Sequence, residues 1–265
     1  MTGFRECRHG RMVYLRHDRY IGKALDLYGE FSELEAAVFG AFLRPGDVAA
    51  DVGANVGAHT IHMAKLVGPE GKVYAFEPQR VIFTLLCANV ALNERFNIFP
   101  LHAALGSVPG TIRIPPIDYA AAGNFGGVSL LDAAGAGGEE VEVRTLDSFK
   151  FDKLTLLKID VEGMEHEALS GAAATIKRLR PILYIENDRE IRSPRLISLL
   201  LQMGYNLWWH LPPLFNPGNF GRKTQDIYPG IVSINLIGVP VERKIDIVGA
   251  RAVTGPEDWW QRPAK

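Results

Sequence analysis

A carboxylate and two glycines at fixed spacing, Asp51, Gly53 and Gly57, form the segment whose chemistry is easiest to interpret. They follow an apolar run and precede a helical pattern, so D-x-G-x-x-x-G occupies the turn from a strand into a helix. Glycines let such a turn approach a ligand closely, and the free N–H groups at the helix start favour an anionic group. The turn therefore predicts a nucleotide-like ligand. It lacks the G-x-G-x-x-G spacing of dinucleotide-binding turns, which disfavours NAD.

A second carboxylate, Glu77, comes at the tip of the next predicted strand. In that position it can accept hydrogen bonds from the two hydroxyls of a ribose, and its charge disfavours a phosphorylated ribose. Together with Asp51 it suits a ligand that carries a cationic sulfonium and an ammonium. A glycine-rich turn or an acid at a strand end is often purely structural when taken singly. The order and spacing of the two predict a site for S-adenosylmethionine (SAM).

The candidate catalytic groups come after three later strands. Asp160 and Glu162 follow one strand, Glu186 and Asn187 follow the next, and His210 follows the third. The carboxyl ends of the strands in an open α/β sheet share one crevice, so these side chains should converge. Methyl transfer from a sulfonium mainly requires alignment, and a general base adds roughly 10²–10⁴ in rate when the acceptor is a hydroxyl. We expect that base among Asp160, Glu162, Glu186 and His210.

Three of these residues also form a candidate magnesium site. Asp160, Glu186 and Asn187 resemble the oxygen ligands by which some small-molecule O-methyltransferases hold Mg²⁺. A hard cation of this kind would lower the pKa of a bound hydroxyl and orient it. The alternative is that the two carboxylates stabilise helix starts and loop backbone without a metal, and the sequence leaves both interpretations open.

The elements that must position these groups alternate regularly from Val48 onward. Short β-rich runs alternate with segments of helical period, which predicts a doubly wound, mainly parallel α/β sheet. The predicted strands are 48–52, 73–77, 98–103, 154–160, 182–186, 205–210 and 231–238, and the predicted helices are 59–67, 81–93, 164–179 and 194–203. The connection before the last strand has no room for a crossover helix, so that strand should be antiparallel.

The remaining segments are assigned by composition. Residues 1–44 are expected to form a helical N-terminal cap and residues 241–265 a C-terminal tail. An inserted hairpin is predicted within 106–148, and the loops 119–138 and 211–229 have the composition of lids. The sequence leaves open whether the aromatic pair at 259–260 docks on the domain or on the partner in a homodimer.

Several motifs resemble a known family, the FkbM-type methyltransferases. They are DVGANVGAHT, YAFEP, HAALG, RTLDSF, KIDVEGMEHEALSGA, RPILYIEN and SINL. The resemblance extends over residues 24–238 and implies a class I SAM-dependent methyltransferase domain over 45–240. From the founding activity of the family it also implies O-methylation of a carbohydrate or secondary-metabolite hydroxyl.

The resemblance also implies a set of donor-binding residues. They are Asp51, Gly53, Asn55 and Gly57 in the SAM loop, Glu77 at the ribose and Ala104 near the adenine. The cofactor-binding candidates are completed by Tyr28, Ser32, His59, Thr60, Pro78 and Asp160.

Charge and cysteine content exclude some classes of partner. A formal net charge of −1 is not that of a surface built to bind the nucleic-acid backbone, so no nucleic acid is expected. Cys7 and Cys87 form no C-x-x-C pair, and the chain has neither a signal-peptide pattern nor an apolar run of ~20 residues. We therefore expect a cytoplasmic protein without a membrane span that acts on a small-molecule or glycan acceptor. The competing interpretations are an RNA methyltransferase of the same fold, an NAD-dependent oxidoreductase and a SAM-binding protein without catalysis.

Overall fold

The structure, a computed structural model, describes residues 1–127 and 137–261. In those residues the strands are β1 (Thr2–Cys7), β2 (Gly10–Leu15), β3 (Val48–Val52), β4 (Lys72–Phe76), β5 (Ile98–Leu101), β6 (Ala104–Leu105), β7 (Gly110–Ile114), β8 (Glu139–Arg144), β9 (Leu156–Ile159), β10 (Ile182–Glu186), β11 (Tyr205–His210), β12 (Asn235–Pro240) and β13 (Arg251–Ala252). The α-helices of the same residues are α1 (Ile21–Tyr28), α2 (Glu33–Phe42), α3 (Ala58–Val67), α4 (Arg80–Leu92), α5 (Glu165–Ser170), α6 (Ala173–Leu179) and α7 (Ser193–Gln202).

The central sheet of the described chain has eight strands in the order β13-β11-β12-β10-β9-β3-β4-β5. Strands β10, β9, β3, β4 and β5 run parallel, whereas β12 is antiparallel to both of its neighbours. The predicted mainly parallel sheet with an antiparallel strand after β11 is therefore confirmed. The chain moves outward from β3 to β5 and then returns to β9 on the other side of β3. Ligands of open α/β sheets bind at the carboxyl ends of the strands at such a reversal.

Apolar side chains cover both faces of this sheet. Ile61 of α3 and Leu86 of α4 are buried against one face, and Ile176 of α6 and Ile197 of α7 are buried against the other. Burying one such side chain contributes about 1.5–3 kcal/mol. Because both faces are covered, the strand ends that carry the candidate site are held in a fixed register.

The first fifteen residues form a β-hairpin, so the prediction of a helical cap was wrong for this segment. Strands β1 and β2 pair antiparallel, and the cap is helical only in α1 and α2. Cys7, Met12 and Tyr14 point inward and are buried, whereas Arg11 between them is exposed. Asn89 of α4 fixes the hairpin, because its side chain accepts from the Val13 N–H at 2.7 Å and donates to the Val13 carbonyl at 2.9 Å.

The inserted hairpin predicted between β5 and β9 is confirmed. Strand β7 pairs antiparallel with β8, and β6 adds a parallel strand on the other side of β8. The helix predicted over 164–179 is instead divided into α5 and α6. Gly171 lies at the break, where the chain passes so close to Gly106 that a Cβ would lie 2.0 Å from its carbonyl oxygen, so this position requires glycine. Part of the predicted lid 119–138 lies outside the described residues.

The C-terminal segment is part of the sheet rather than a separate tail. Strand β13 pairs with β11, and Trp259 packs edge-on against Trp209 with ring centroids 5.6 Å apart. The strand predicted over 231–238 begins later, at Asn235. Among the described residues, every helix is too short or too polar to cross a membrane.

Candidate functional site

A cavity of about 380 Å³ opens at the carboxyl ends of β3, β4, β9 and β10, where the strand order reverses. The turn 53–55 after β3 lines its centre, Glu77 after β4 lines one side, and the acids after β9 and β10 line the other. Further lining residues come from α2 and the preceding residues of the cap, from Asn124 of the insert and from residues 232–235. This volume is typical of small-molecule sites, which usually enclose about 300–1,000 Å³.

The turn after β3 has a backbone that requires glycine. Gly53 and Gly57 have φ angles of +79° and +88°, and Asn55 has +50°. A Cβ on Gly53 would lie 1.7 Å from the carbonyl oxygen of Asp160, so the ends of β3 and β9 approach more closely than another residue type allows. Gly53 and Asn55 line the cavity, whereas Gly57 begins α3 behind it.

Asp51 and Thr60 lie behind this turn and do not line the cavity. Thr60 Oγ1 donates to Asp51 Oδ2 at 2.6 Å, and Lys158 Nζ lies 3.2 Å from Asp51 Oδ1. Burial lowers the pKa of Lys158, but the carboxylates of Asp51, Asp160 and Glu35 raise that pKa more, and the side chain is cationic. The structure thus places Asp51 in a buried ion pair that supports the turn, rather than in the direct donor contact predicted for it.

Glu77 closes one side of the cavity and is almost fully buried. Its carboxylate accepts from the backbone N–H of Asn55 at 2.9 Å and from that of Gln79 at 2.8 Å, which ties the ends of β3 and β4 together. Burial raises the pKa of Glu77 to about 7, against the effect of these two hydrogen bonds. Each oxygen keeps a lone pair for a further donor, such as a ribose hydroxyl.

Three further donor candidates line the same cavity. Pro78 and Ala104 lie on the Glu77 side, where Ala104 begins β6, and His59 lies in the first turn of α3. The apolar residues 103–105 therefore flank Glu77, as the adenine of an adenosine ligand would require.

A cluster of carboxylates lies on the other side of the turn. Asp160, Glu162 and Glu186 each present an oxygen within 4.8 Å of the others, and all three line the cavity. Arg189 pairs with Glu162 at 3.2 Å. Glu162 has a φ angle of +54°, a conformation that costs an ordinary residue on the order of 1–3 kcal/mol. Glu186 Oε2 is buried without a hydrogen-bond partner among the described residues.

Burial and mutual repulsion keep protons on this cluster. Burial, together with the charges of Asp160 and Asp188, raises the pKa of Glu162 to about 8, although Arg189 opposes the shift. Burial and the charges of Asp160, Glu162 and Asp188 raise the pKa of Glu186 well above its ordinary value. The repulsion between such carboxylates decreases either when some of them hold protons or when a cation binds between them.

Two predicted acceptor-side residues do not join the cluster. The Asn187 amide points away from the cavity and donates to Ser193 Oγ at 2.8 Å, so in the candidate metal set its place is taken by Glu162. His210 is absent from the cavity lining, and its Nδ1 lies 2.8 Å from the Tyr184 hydroxyl. Strand β12 lies between β10 and β11, which moves His210 one strand away from the acids.

Two predicted donor residues in the cap also lie outside the cavity lining. The Tyr28 hydroxyl donates to the Gln225 carbonyl at 2.8 Å and accepts from the Ile227 N–H at 2.9 Å, so it holds the loop between β11 and β12. The Ser32 hydroxyl donates to Glu35 Oε1 at 2.8 Å.

Glu35 lines the cavity and was not predicted from the sequence. The pattern Ser32-x-x-Glu35 has the spacing of a capping box, in which the acid caps its own helix. In the structure Ser32 has a left-handed conformation and makes no capping hydrogen bond, and Glu35 turns into the cavity instead. Gln79 and Asn124 were also missed, because the turn and insert that bring them to the cavity have no specific pattern.

The family described as Methyltransferase FkbM domain matches residues 51–207. Two characterised relatives are similar in sequence. The 31-O-demethyl-FK506 methyltransferase FkbM of Streptomyces tacrolimicus is 29% identical over 73% of this chain and 86% of its own length. Methyltransferase sdnD of Sordaria araneosa is 29% identical over 46% of this chain, and the match spans only 58% of that relative.

A solved structure of an FkbM methyltransferase from Methylobacillus flagellatus KT is also similar, at 20% identity and a TM-score of 0.48. The similar region covers 77% of this chain and 50% of that protein.

Proposed function

Because this chain belongs to the FkbM methyltransferase domain family, we propose that it is a SAM-dependent methyltransferase that methylates a hydroxyl of a small-molecule or glycan acceptor. The observation that carries the acceptor assignment is the cluster of Asp160, Glu162 and Glu186, which faces the cavity with one buried carboxylate oxygen unpartnered among the described residues.

The residues of the cavity fit SAM as the methyl donor. When bound, SAM supplies a methyl group already activated by its sulfonium charge. The turn at Gly53 and Asn55 would offer backbone groups, Glu77 would accept from the ribose hydroxyls, and Ala104 would lie on the adenine side, since all four line the cavity. The cavity is lined by ionisable carboxylates on both sides of this turn, which suits a ligand with a net positive charge. SAM carries two positive charges, on its sulfonium and its ammonium, and one negative charge, on its own carboxylate.

The carboxylate cluster performs the proton transfer in this proposal. A hydroxyl placed between Asp160 and Glu186 donates a hydrogen bond to the ionised member of the cluster. Asp160, which pairs with Lys158, is that member, because burial and repulsion raise the pKa values of Glu162 and Glu186 and keep those two protonated near neutral pH. It takes up the proton as the oxygen becomes methylated. Arg189 keeps Glu162 in position. Lys158 holds Asp160 at 3.4 Å and Asp51 on its other side, so the donor turn and the base stay aligned.

A divalent cation is the second arrangement that this cluster fits. The three carboxylates are close enough to share one ion, and the unpartnered Glu186 oxygen supplies a free ligand atom. A bound hard cation would supply Lewis acidity to the acceptor oxygen. Calorimetric titration of Mg²⁺ into the protein and its Glu186→Gln variant separates the two arrangements. Binding of Mg²⁺ to the unaltered protein but not to the variant would support the cation site. If Mg²⁺ does not bind and turnover persists in the presence of a chelator, the carboxylate cluster acts as a general base without a metal.

Part of the cavity wall is apolar, which favours a partly apolar acceptor. It is lined by Ile21 and Phe31 of the cap and by Leu214 and Val232 of the loop between β11 and β12. The Streptomyces relative is named for the 31-O position of FK506. We therefore propose a secondary-metabolite or glycoside hydroxyl rather than RNA, in keeping with the net charge of −1. Cytoplasmic location and a homodimer stay predictions from the sequence.

The test combines donor binding with an acceptor screen. Calorimetry with SAM and with NAD should show binding of SAM only. Incubation with SAM and a panel of hydroxylated macrolides, glycosides and short RNAs should give a mass gain of one methylene in one of the first two groups. Loss of transfer in Asp160→Asn, with donor binding retained, supports the assignment of the cluster. Methylation of RNA alone would contradict the acceptor class, and absence of SAM binding would contradict the function.

A further inference from the structure

Glu35 is a buried carboxylate at the cavity wall that the mechanism above does not use. It lies on α2, is 5% exposed and lines the cavity. Three different segments hold it. Ser32 donates to Oε1 at 2.8 Å, His59 Nε2 of α3 lies 3.5 Å from Oε2, and Ser233 of the loop before β12 lies near enough to lower the pKa of the Glu35 carboxyl group. A carboxylate fixed from three directions has a defined orientation.

The carboxyl group of Glu35 is ionised. Burial raises its pKa, but the interactions with His59, Ser233 and Ser32 lower it to about 2 overall. An ionised carboxylate enclosed by protein is costly unless it meets a cation or several donors. Its position inside a ligand cavity, rather than in the apolar core, leaves it available to a cationic group of a ligand.

The order of the strands indicates which part of the donor lies near Glu35. Glu77 follows β4, the glycine turn follows β3, and Lys158 lies on β9, so these three positions form a line across the sheet. Phe39, one turn further along α2, packs edge-on against Tyr184 of β10 with ring centroids 5.2 Å apart, which places Glu35 towards the β9 and β10 end of that line. An adenosine whose ribose is held by Glu77 must extend its methionyl chain over the turn, towards Lys158 and Glu35.

We propose that Glu35 binds the α-ammonium of the methionyl chain of the donor. This inference rests on the proposed function, because it takes SAM as the ligand. It makes α2 part of the donor site, although the family match begins only at residue 51. An ionised carboxylate facing an ammonium makes a charge-assisted hydrogen bond, which is stronger than a neutral one.

Two donor-site ligands distinguish this role from a structural one. S-adenosylhomocysteine contains the methionyl-type chain with its ammonium, and 5′-methylthioadenosine contains the adenosine and sulfur without that chain. We expect Glu35→Gln to weaken S-adenosylhomocysteine about 10–100-fold, as the loss of a charged hydrogen bond predicts. The same variant should change the affinity for 5′-methylthioadenosine less than about 2-fold, because that ligand lacks the partner group. Both dissociation constants are measured by calorimetry at pH 7.5.

Glu33→Gln is the matched control. Glu33 lies on the same helix but pairs with His9 at 2.8 Å and is absent from the cavity lining. It should leave both affinities unchanged. Glu35→Asp, which keeps the charge, should recover part of the loss. If Glu35→Gln does not fold, the wild-type protein is titrated with the deamino analogue of S-adenosylhomocysteine, and Glu35→Asp with both compounds. We expect the wild type to bind the analogue more weakly than S-adenosylhomocysteine. In Glu35→Asp the difference in affinity between the two compounds should be smaller than in the wild type.

Equal weakening of both ligands in Glu35→Gln, or no weakening of either, would overturn the proposal. If only Glu35→Asp folds, two further results would overturn the proposal. One is that the wild type binds S-adenosylhomocysteine and its deamino analogue equally well. The other is that Glu35→Asp prefers S-adenosylhomocysteine over the analogue by the same factor as the wild type. Failure of the wild-type protein to bind S-adenosylhomocysteine and 5′-methylthioadenosine would instead refute the donor assignment itself.

Discussion

Lys158 Nζ lies 3.2 Å from Asp51 Oδ1, and both side chains are almost completely buried at adjacent positions of β9 and β3. The pair joins the two strands between which the order of the sheet reverses. It therefore fixes the distance between the turn that carries the donor candidates and the strand that ends in the carboxylate cluster.

Lys158→Met should destabilise the fold, because it leaves the Asp51 carboxylate buried without its cation. Breaking such a pair typically costs about 3–5 kcal/mol. The free energy of unfolding is measured by urea denaturation. The double variant Asp51→Asn with Lys158→Met removes the stranded charge and should be more stable than Lys158→Met alone. A double variant no more stable than the single one would mean that the ion pair is not the source of the loss.

Gly53→Ala should be more destabilising than an ordinary glycine substitution at positive φ. The added Cβ would meet the carbonyl oxygen of Asp160 at 1.7 Å, so the ends of β3 and β9 must separate. Gly46→Ala is the matched control, since Gly46 has a similar φ of +82° but no atom within 4 Å of the added Cβ. We expect a loss of about 1 kcal/mol for Gly46→Ala and at least twice that for Gly53→Ala. Equal losses of thermal stability would refute the steric argument.

Glu77 should make donor affinity depend on pH. The pKa of its carboxyl group is raised to about 7, and ribose hydroxyls donate best to the ionised form. Ligand binding therefore lowers this pKa, and the affinity for S-adenosylhomocysteine should increase as the pH rises to 7 and then level off. We expect a gain of about 3–10-fold between pH 5.5 and 7.5. Glu77→Gln should bind more weakly and with a flat profile over this range. A wild-type affinity independent of pH would contradict the assignment.

Glu162 should make the fold less stable as the pH rises. Its folded-state pKa of about 8 lies above the unfolded value, so the folded protein holds a proton that the unfolded chain releases. Stability is then greatest below about pH 4.5 for this group and falls as the pH rises to 8. Glu162→Gln should flatten this part of the profile. The change in the free energy of unfolding is roughly 1.4 kcal/mol per unit of pKa shift, and solvent screening makes it smaller. Thermal unfolding from pH 5 to 9 measures the difference. A steeper profile in the variant would reverse the sign of the argument.

Two of the parallel strands, β3 and β10, could be predicted at their observed residues because each is buried on both faces. Val48–Val52 and Ile182–Glu186 are short apolar runs with clear boundaries, and the structure has them at the predicted residues. The N-terminal hairpin was missed for the opposite reason. Its inward residues, such as Cys7 and Met12, are separated by charged ones, and the alternation is too short to be distinguished from a loop.

The acceptor side was predicted only in part, because chain order does not give spatial order. Asp160 and Glu186 end neighbouring strands and do lie together. His210 was expected beside them, but β12 returns between β10 and β11 and places Asn235 opposite both Glu186 and His210. Glu35 could not be found because its spacing to Ser32 is that of an ordinary helix cap, and only tertiary packing turns it into the cavity.

The hydrogen bonds of the Tyr28 hydroxyl to Gln225 and Ile227 join two segments that are nearly two hundred positions apart in the chain. Neither segment can be transplanted between relatives by itself, because the graft would lose the partner that shapes it. Engineering a new acceptor preference would therefore require exchanging the first 44 residues together with the loop before β12, as one composite cassette.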